Sequence, residues 1–162
     1  MIFAIILIPI ILVIAFLIYA SFQKAVPKDY WNQQITGGAI EEKYAALGTY
    51  EVSSKSYKAP EMEYNSEKNT SKQRHFKVWY PDTETDETYP LVVMVNGTGT
   101  PYTKYEQIFE HLASWGFVVI GNDYEVSWDG RSASLALDFA LETAEIARLI
   151  DTNKIAIGGH SQ

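Results

Sequence analysis

The chain has 162 residues, of which 47% are hydrophobic, and its 13 Lys and Arg against 20 Asp and Glu give a net charge of −7. This composition is typical of a globular domain rather than a disordered chain. The acidic balance, without a basic stripe, argues against nucleic acid as a partner. The absence of cysteine excludes a disulfide framework, a thiol nucleophile and a Cys-ligated metal.

Residues 1–20 read MIFAIILIPIILVIAFLIYA and contain no charged side chain. At 1.5 Å per residue, roughly 20 apolar residues cross a hydrocarbon core of about 30 Å. Residues 1–20 therefore predict a single transmembrane helix that anchors the chain in a membrane. Pro9 is tolerated in such a helix, because neighbouring groups satisfy the freed carbonyl.

Two features leave alternatives open for this segment. Ile18-Tyr19-Ala20 ahead of Ser21 resembles a cleavage site, so a secretory signal peptide is the alternative, although no basic stretch precedes the apolar run. Lys24 and Lys28 follow the run and weakly favour a cytoplasmic location for the rest of the chain. The sequence thus predicts a single-pass membrane location and leaves the side of the membrane open.

The next segment, residues 21–45, is predicted to be a juxtamembrane linker with a short helix, because Pro and Gly interrupt a polar stretch. That helix covers Ala39–Leu47, and Gly48 ends it. Residues 46–162 are then predicted to form the folded domain.

Two strands are predicted early in this domain, over Thr49–Tyr57 and Arg74–Tyr80, which are rich in β-branched and aromatic residues. Alternation in the second strand predicts two faces, one with Phe76, Val78 and Tyr80 and the other with His75, Lys77 and Trp79. The loops Lys58–Lys72 and Pro81–Tyr89 are polar, and the acidic run in the second indicates a solvated loop rather than a metal site.

After Pro90, strands alternate with helices. The strands are predicted over Leu91–Val95, Phe117–Ile120 and Lys154–Ile157. The first helix ends at Gly116, and the second covers Ser132–Ile150. The apolar stripe of the first helix consists of Tyr105, Ile108, Phe109 and Leu112. This alternation predicts an α/β domain with a parallel sheet and right-handed crossovers.

The segment that carries chemistry follows the last predicted strand. Residues 158–162 read GGHSQ, which matches the start of a G-x-S-x-G nucleophile elbow. Such an elbow needs small neighbours at the carboxyl end of a parallel strand so that the serine stands clear of the sheet. Ser161 is therefore the candidate nucleophile, and Gly159 is the small residue ahead of it.

A second motif, Asn96-Gly97-Thr98-Gly99-Thr100, occupies the loop between the third strand and the first helix of this region. Acyl transfer needs backbone N–H groups directed at the developing oxyanion, and one of them comes from this kind of loop. No lysine follows in the spacing of a phosphate-binding loop, so nucleotide binding is rejected.

With these two motifs, the chain resembles the α/β-hydrolase superfamily over roughly residues 46–162, most nearly its esterase, lipase and dienelactone-hydrolase-like branch. The resemblance implies the N-terminal half of an α/β-hydrolase fold, with a mostly parallel sheet and flanking helices. It also implies a small-molecule or lipid-like ester as substrate. It implies no cofactor and no metal.

The resemblance assigns roles to particular residues. Ser161 is the implied nucleophile, and the backbone N–H groups of Thr98 and Gln162 are the implied oxyanion donors, with Gly99 as the alternative to Thr98. The implied small residues of the loop and the elbow are Gly97 and Gly159. The chain departs from the family at Asn96, where a histidine is common.

In this superfamily the acid and the histidine of the triad follow the serine in sequence, so both are expected beyond Gln162. None of His75, His111 and His160 is expected to be the general base. The predicted function is that of a membrane-anchored serine esterase, present here as an N-terminal fragment that is inactive by itself. The alternative is a truncated, noncatalytic membrane protein, or a binding or pseudoenzyme fragment.

Overall fold

A computed structural model describes residues 2–21, 37–60, 74–124 and 129–161. The chain divides into two compact units between Tyr30 and Trp31, and each is described by itself. Several predictions concern residues outside the described ranges, namely the two lysines Lys24 and Lys28, most of the linker, most of the loop Lys58–Lys72, and Gln162.

The first unit contains helix α1, Ile2–Ser21, which includes Pro9. Its side chains are described over residues 8–19, and all of them are exposed. Among the described residues, no helix has both the length and the apolar character needed to cross a membrane. The helix is therefore confirmed, whereas the transmembrane anchor over residues 1–20 is not supported.

The second unit is built on a sheet of five strands in the order β1-β2-β4-β3-β5. The strands are β1 Val52–Lys58, β2 His75–Pro81, β3 Tyr89–Val95, β4 Val118–Asn122 and β5 Ile150–Gly159. Strand β2 is antiparallel to both β1 and β4, whereas β3 is parallel to β4 and β5. The described sheet is therefore mixed, which corrects the expectation of a mostly parallel sheet. The parallel pairs are those joined by helical crossovers.

The helices of this unit are α2 Ala39–Ala45, α3 Glu106–Ser114, α4 Arg131–Glu142 and α5 Ala144–Ala147, with a 3-10 turn at Tyr102–Lys104. The single helix predicted over Ser132–Ile150 is wrong. Thr143 adopts an extended conformation with φ −79° and ψ 103°, which separates α4 from α5. Ile150 already belongs to β5.

The core consists of two clusters of buried side chains, one formed with α4 and α5 and the other with α3. Phe76 and Val78 belong to the first cluster, and Trp79 packs with Phe109 in the second, so the predicted alternation of β2 is confirmed. The predicted stripe of α3 is wrong at Ile108, which is 41% exposed. The sheet is thus covered on both faces, as expected for an α/β fold.

The carboxyl ends of β3, β4 and β5 lie at one edge of the sheet, because these strands run parallel. The loop 96–100, Asp123 and the residues after Gly159 follow these ends directly. In open α/β sheets ligands bind at this edge. A functional site is therefore expected at this edge.

Candidate active site

Ser161 follows the end of β5, where that strand pairs with β3 through Val95 and Gly159. The N–H of His160 continues the ladder by donating to the Val95 carbonyl at 3.2 Å. Ser161 is exposed and has φ +62°, the only positive φ of a non-glycine residue in the described ranges. L-residues in sparsely populated backbone regions carry strain of roughly 1–3 kcal/mol, and such residues cluster at active sites.

The glycines of this turn allow β5 to lie close to β3. A Cβ on Gly159 would lie 3.3 Å from the Val95 carbonyl oxygen, and a Cβ on Gly158 would lie 3.2 Å from the Met94 sulfur. Both distances are shorter than ordinary van der Waals contact. Close strand packing therefore gives a physical reason for a small residue at position 159.

The loop after β3 forms a tight turn in which the Thr100 N–H donates to the Gly97 carbonyl at 3.0 Å. Gly99 has φ +65°, and a type II turn requires a positive φ at this position. Gly97 lies against the elbow, since a Cβ there would be 3.3 Å from Ser161 Cβ. The structure thus brings the predicted oxyanion loop beside the predicted nucleophile.

A buried hydrogen bond of the Asn96 side chain anchors this loop. Asn96 is 3% exposed, and its Nδ2 donates to the Tyr124 carbonyl at 2.6 Å. Tyr124 follows β4, so the bond joins the loop after β3 to the segment after β4. A buried hydrogen bond of this kind fixes the loop, because breaking it would leave a buried polar group without that partner. This is the role of the residue at which the sequence departs from the family pattern.

Tyr105 was expected only as part of an apolar stripe, yet its hydroxyl lies at the site. The hydroxyl oxygen is 2.8 Å from His160 Nδ1, and it accepts the Gly97 N–H at 3.3 Å. Helical spacing could not show this contact, because it reports only which face is apolar. The sequence could have indicated it in one way only, because a tyrosine on a packed face needs a hydrogen-bond partner for its hydroxyl.

His75 on β2 and Asp123 after β4 form a pair that lies several strands away from β5. The Asp123 carboxylate accepts the His75 N–H at 2.7 Å, and its other oxygen lies 3.4 Å from His75 Nδ1. Strands β4 and β3 separate β2 from β5, and at about 4.8 Å per strand this separation is roughly 14 Å. His75 is thus too distant to take a proton from Ser161.

The other two histidines are also engaged elsewhere. His111 Nε2 lies 2.9 Å from the Tyr44 carbonyl oxygen, and His160 Nδ1 is hydrogen-bonded to the Tyr105 hydroxyl. Within the described ranges, no group of His, Asp and Glu is placed to hold a metal ion. The geometry supplies a serine and an oxyanion loop, and none of the three histidines is placed as a base for that serine.

Ionisable groups with shifted pKa values belong to the scaffold. Lys55 on β1 forms a 2.6 Å ion pair with Glu145 on α5, and the hydrogen bond from Lys55 lowers the pKa of the Glu145 carboxyl. Burial, and then the charge of Glu145, raises the pKa of the Tyr57 hydroxyl. These contacts tie α5 to the first strand of the sheet.

The fold and the motifs can be compared with known proteins. A sequence model of the chlorophyllase family matches residues 45–162. Bis(hydroxyethyl) terephthalate hydrolase of Streptomyces coelicolor is 29% identical over 89 residues, which cover 52% of this chain and 29% of that protein. The structure of a bacterial heroin esterase matches 72% of this chain and 38% of its own, with a TM-score of 0.51 and 22% identity.

This chain therefore spans well under half the length of either relative. The structural likeness concerns the fold alone. Together with the family match and the related hydrolase, it confirms the resemblance to the α/β-hydrolase superfamily.

Proposed function

Because this chain belongs to the chlorophyllase family, we propose that the protein is a serine esterase that cleaves a small-molecule or lipid-like carboxylic ester. The observation that carries the proposal is the position of Ser161, at φ +62° directly after β5 and beside Gly97 of the loop. The names of the two relatives, a terephthalate ester hydrolase and a heroin esterase, support an ester as substrate.

The proposed reaction proceeds through an acyl-enzyme on Ser161. The serine oxygen attacks the ester carbonyl carbon while a base takes its proton, and the carbonyl oxygen becomes an oxyanion. Backbone N–H groups of Thr98 or Gly99 and of Gln162 stabilise this charge. The carbon–oxygen bond to the alcohol then breaks, and the alcohol leaves with the proton. Water finally cleaves the acyl-enzyme, which releases the acid and restores the serine.

We also propose that the base and its acidic partner lie outside the described residues. The reason is that His75, His111 and His160 are each held by other groups. A serine hydroxyl without a base is a weak nucleophile. The 162-residue chain is therefore expected to show no turnover by itself.

Labelling by a fluorophosphonate tests the proposal in the protein expressed from its full reading frame. Ser161 should be labelled, and Ser161→Ala should abolish labelling. Ser134→Ala is the matched control, since Ser134 is an exposed serine on α4 and should leave labelling unchanged. p-Nitrophenyl acetate and bis(hydroxyethyl) terephthalate are the substrates to assay in parallel.

Two outcomes would count against the esterase. If Ser161→Ala is still labelled, the assignment of the nucleophile is wrong. If the full-length wild type is not labelled at all, the noncatalytic alternative is favoured.

A further inference from the structure

Tyr105 is fixed at the start of α3 by both its backbone and its side chain. Its backbone carbonyl accepts the N–H groups of Ile108 at 2.9 Å and Phe109 at 3.1 Å. Its ring stacks on Phe109 with centroids 5.9 Å apart, and Phe109, 1% exposed, packs edge-on against Trp79 at 4.9 Å. The ring is therefore held by the core cluster of α3, which leaves the hydroxyl little freedom to move.

The Tyr105 hydroxyl bridges two segments that the sequence separates widely. It accepts the Gly97 N–H at 3.3 Å and lies 2.8 Å from His160 Nδ1. A phenolic hydroxyl has one hydrogen to donate. Because the bond from Gly97 uses one lone pair, the hydroxyl keeps its hydrogen and a second lone pair for the bond to His160 Nδ1.

The two bridged residues are sequence neighbours of the groups that the proposed reaction uses. Gly97 precedes Thr98, a proposed oxyanion donor, and His160 precedes Ser161. A small cavity is lined by Tyr105 and His160 themselves, with Asn96, Tyr102 and Phe109 among its other lining residues.

Resting on the proposed esterase activity, we infer that the Tyr105 hydroxyl is a positioning group that holds the oxyanion loop in register with the nucleophile elbow. It acts through Gly97 and His160 and does not touch substrate. Loss of the hydroxyl should therefore weaken stabilisation of the oxyanion more than binding of the ester, because only the oxyanion needs donors at a fixed distance.

Tyr105→Phe in the full-length protein tests this inference, since it removes one oxygen and keeps the ring. We expect kcat for p-nitrophenyl acetate to fall roughly 10- to 100-fold, with KM changed less than about twofold, because displacements below 1 Å at a reacting centre have effects of this order. Tyr102→Phe is the matched control. Tyr102 lines the same cavity and packs on Trp79, so its variant should keep kcat within about twofold.

Two further measurements separate positioning from a general loss of stability. Thermal unfolding of Tyr105→Phe and Tyr102→Phe should show similar midpoints. In the nuclear magnetic resonance spectrum, Tyr105→Phe should shift the His160 ring signals, because Nδ1 loses its hydrogen-bond partner. Tyr102→Phe should leave those signals in place.

A Tyr105→Phe enzyme with unchanged kcat, or with kcat and unfolding midpoint lowered as much as in Tyr102→Phe, would overturn the inference. Full-length wild type that is not labelled at Ser161 would instead overturn the proposed esterase. In that case the His160 signals still report whether the Tyr105 bridge exists.

Discussion

Gly97→Ala is the substitution that best tests the contact between the loop and the elbow. The added Cβ would lie 3.2 Å from both Nδ1 and the carbonyl oxygen of His160 and 3.3 Å from Ser161 Cβ. Ordinary contacts between carbon atoms begin at about 3.5 Å, so the loop and the elbow must separate by a few tenths of an ångström, roughly 0.2–0.5 Å. Gly97 is not among the glycines with positive φ, so this steric term is the main one.

The expected loss can be scaled from this displacement. A misplacement of 1 Å costs roughly 100-fold in rate, so 0.2–0.5 Å corresponds to roughly threefold to tenfold. The assay is the rate of fluorophosphonate labelling of Ser161 in the full-length protein, measured beside the thermal unfolding midpoint. Labelling should slow by that factor while the unfolding midpoint changes little.

Gly130→Ala is the matched control for Gly97→Ala. Gly130 has φ +77° and nothing within 4 Å of where a Cβ would be added, and it directly precedes α4. Alanine there should cost about 1–2 kcal/mol of stability through backbone strain and leave labelling unchanged. The argument would be refuted if Gly97→Ala were labelled at the wild-type rate, or if labelling were slowed equally in Gly97→Ala and Gly130→Ala.

Other predictions concern stability and location. Phe109→Ala should lower the free energy of unfolding by about 3–5 kcal/mol in urea titrations, because Phe109 is 1% exposed; a loss below about 1 kcal/mol would contradict this packing. Hydrogen bonds from Arg131, Lys55 and Lys154 lower the pKa values of Asp129, Glu145 and Asp151. Their contribution is present above the unfolded pKa of about 4 and is lost as pH falls below it, so the urea midpoint should drop between pH 7 and pH 3; equal midpoints would count against it. Membrane location stays a prediction: the apolar side chains of α1 are exposed, so the chain should resist carbonate extraction, and full recovery in the supernatant would disprove it.

The parts of the fold that follow a local period could be predicted from the sequence. Alternation placed Phe76 and Trp79 on opposite faces of β2, and the apolar run Leu91–Val95 predicted a strand covered on both sides. The elbow and the loop were predicted because their glycines sit directly after predicted strands. In each case the signal lies within a few residues.

The parts that depend on contacts distant in sequence could not be predicted. Ile146 continues the helical period across Thr143, so the break there has no local sign. Strand β5 begins at Ile150 and shows a register shift opposite Pro90 and Leu91, a feature set by pairing with β3. The antiparallel direction of β2 and the bridge from Tyr105 likewise arise only when separate segments meet.

The parallel pairing of β3 with β5 also determines when the candidate site can form during folding. The loop at Gly97 is synthesised well before the elbow at Ser161, and α3, β4 and α4 lie between them in the sequence. Parallel pairing needs such a crossover, and closing a long loop is slow because the entropy is lost before the contacts form. The site is therefore expected to assemble at a late step of folding, so Ser161 reactivity would report that β5 has joined the sheet.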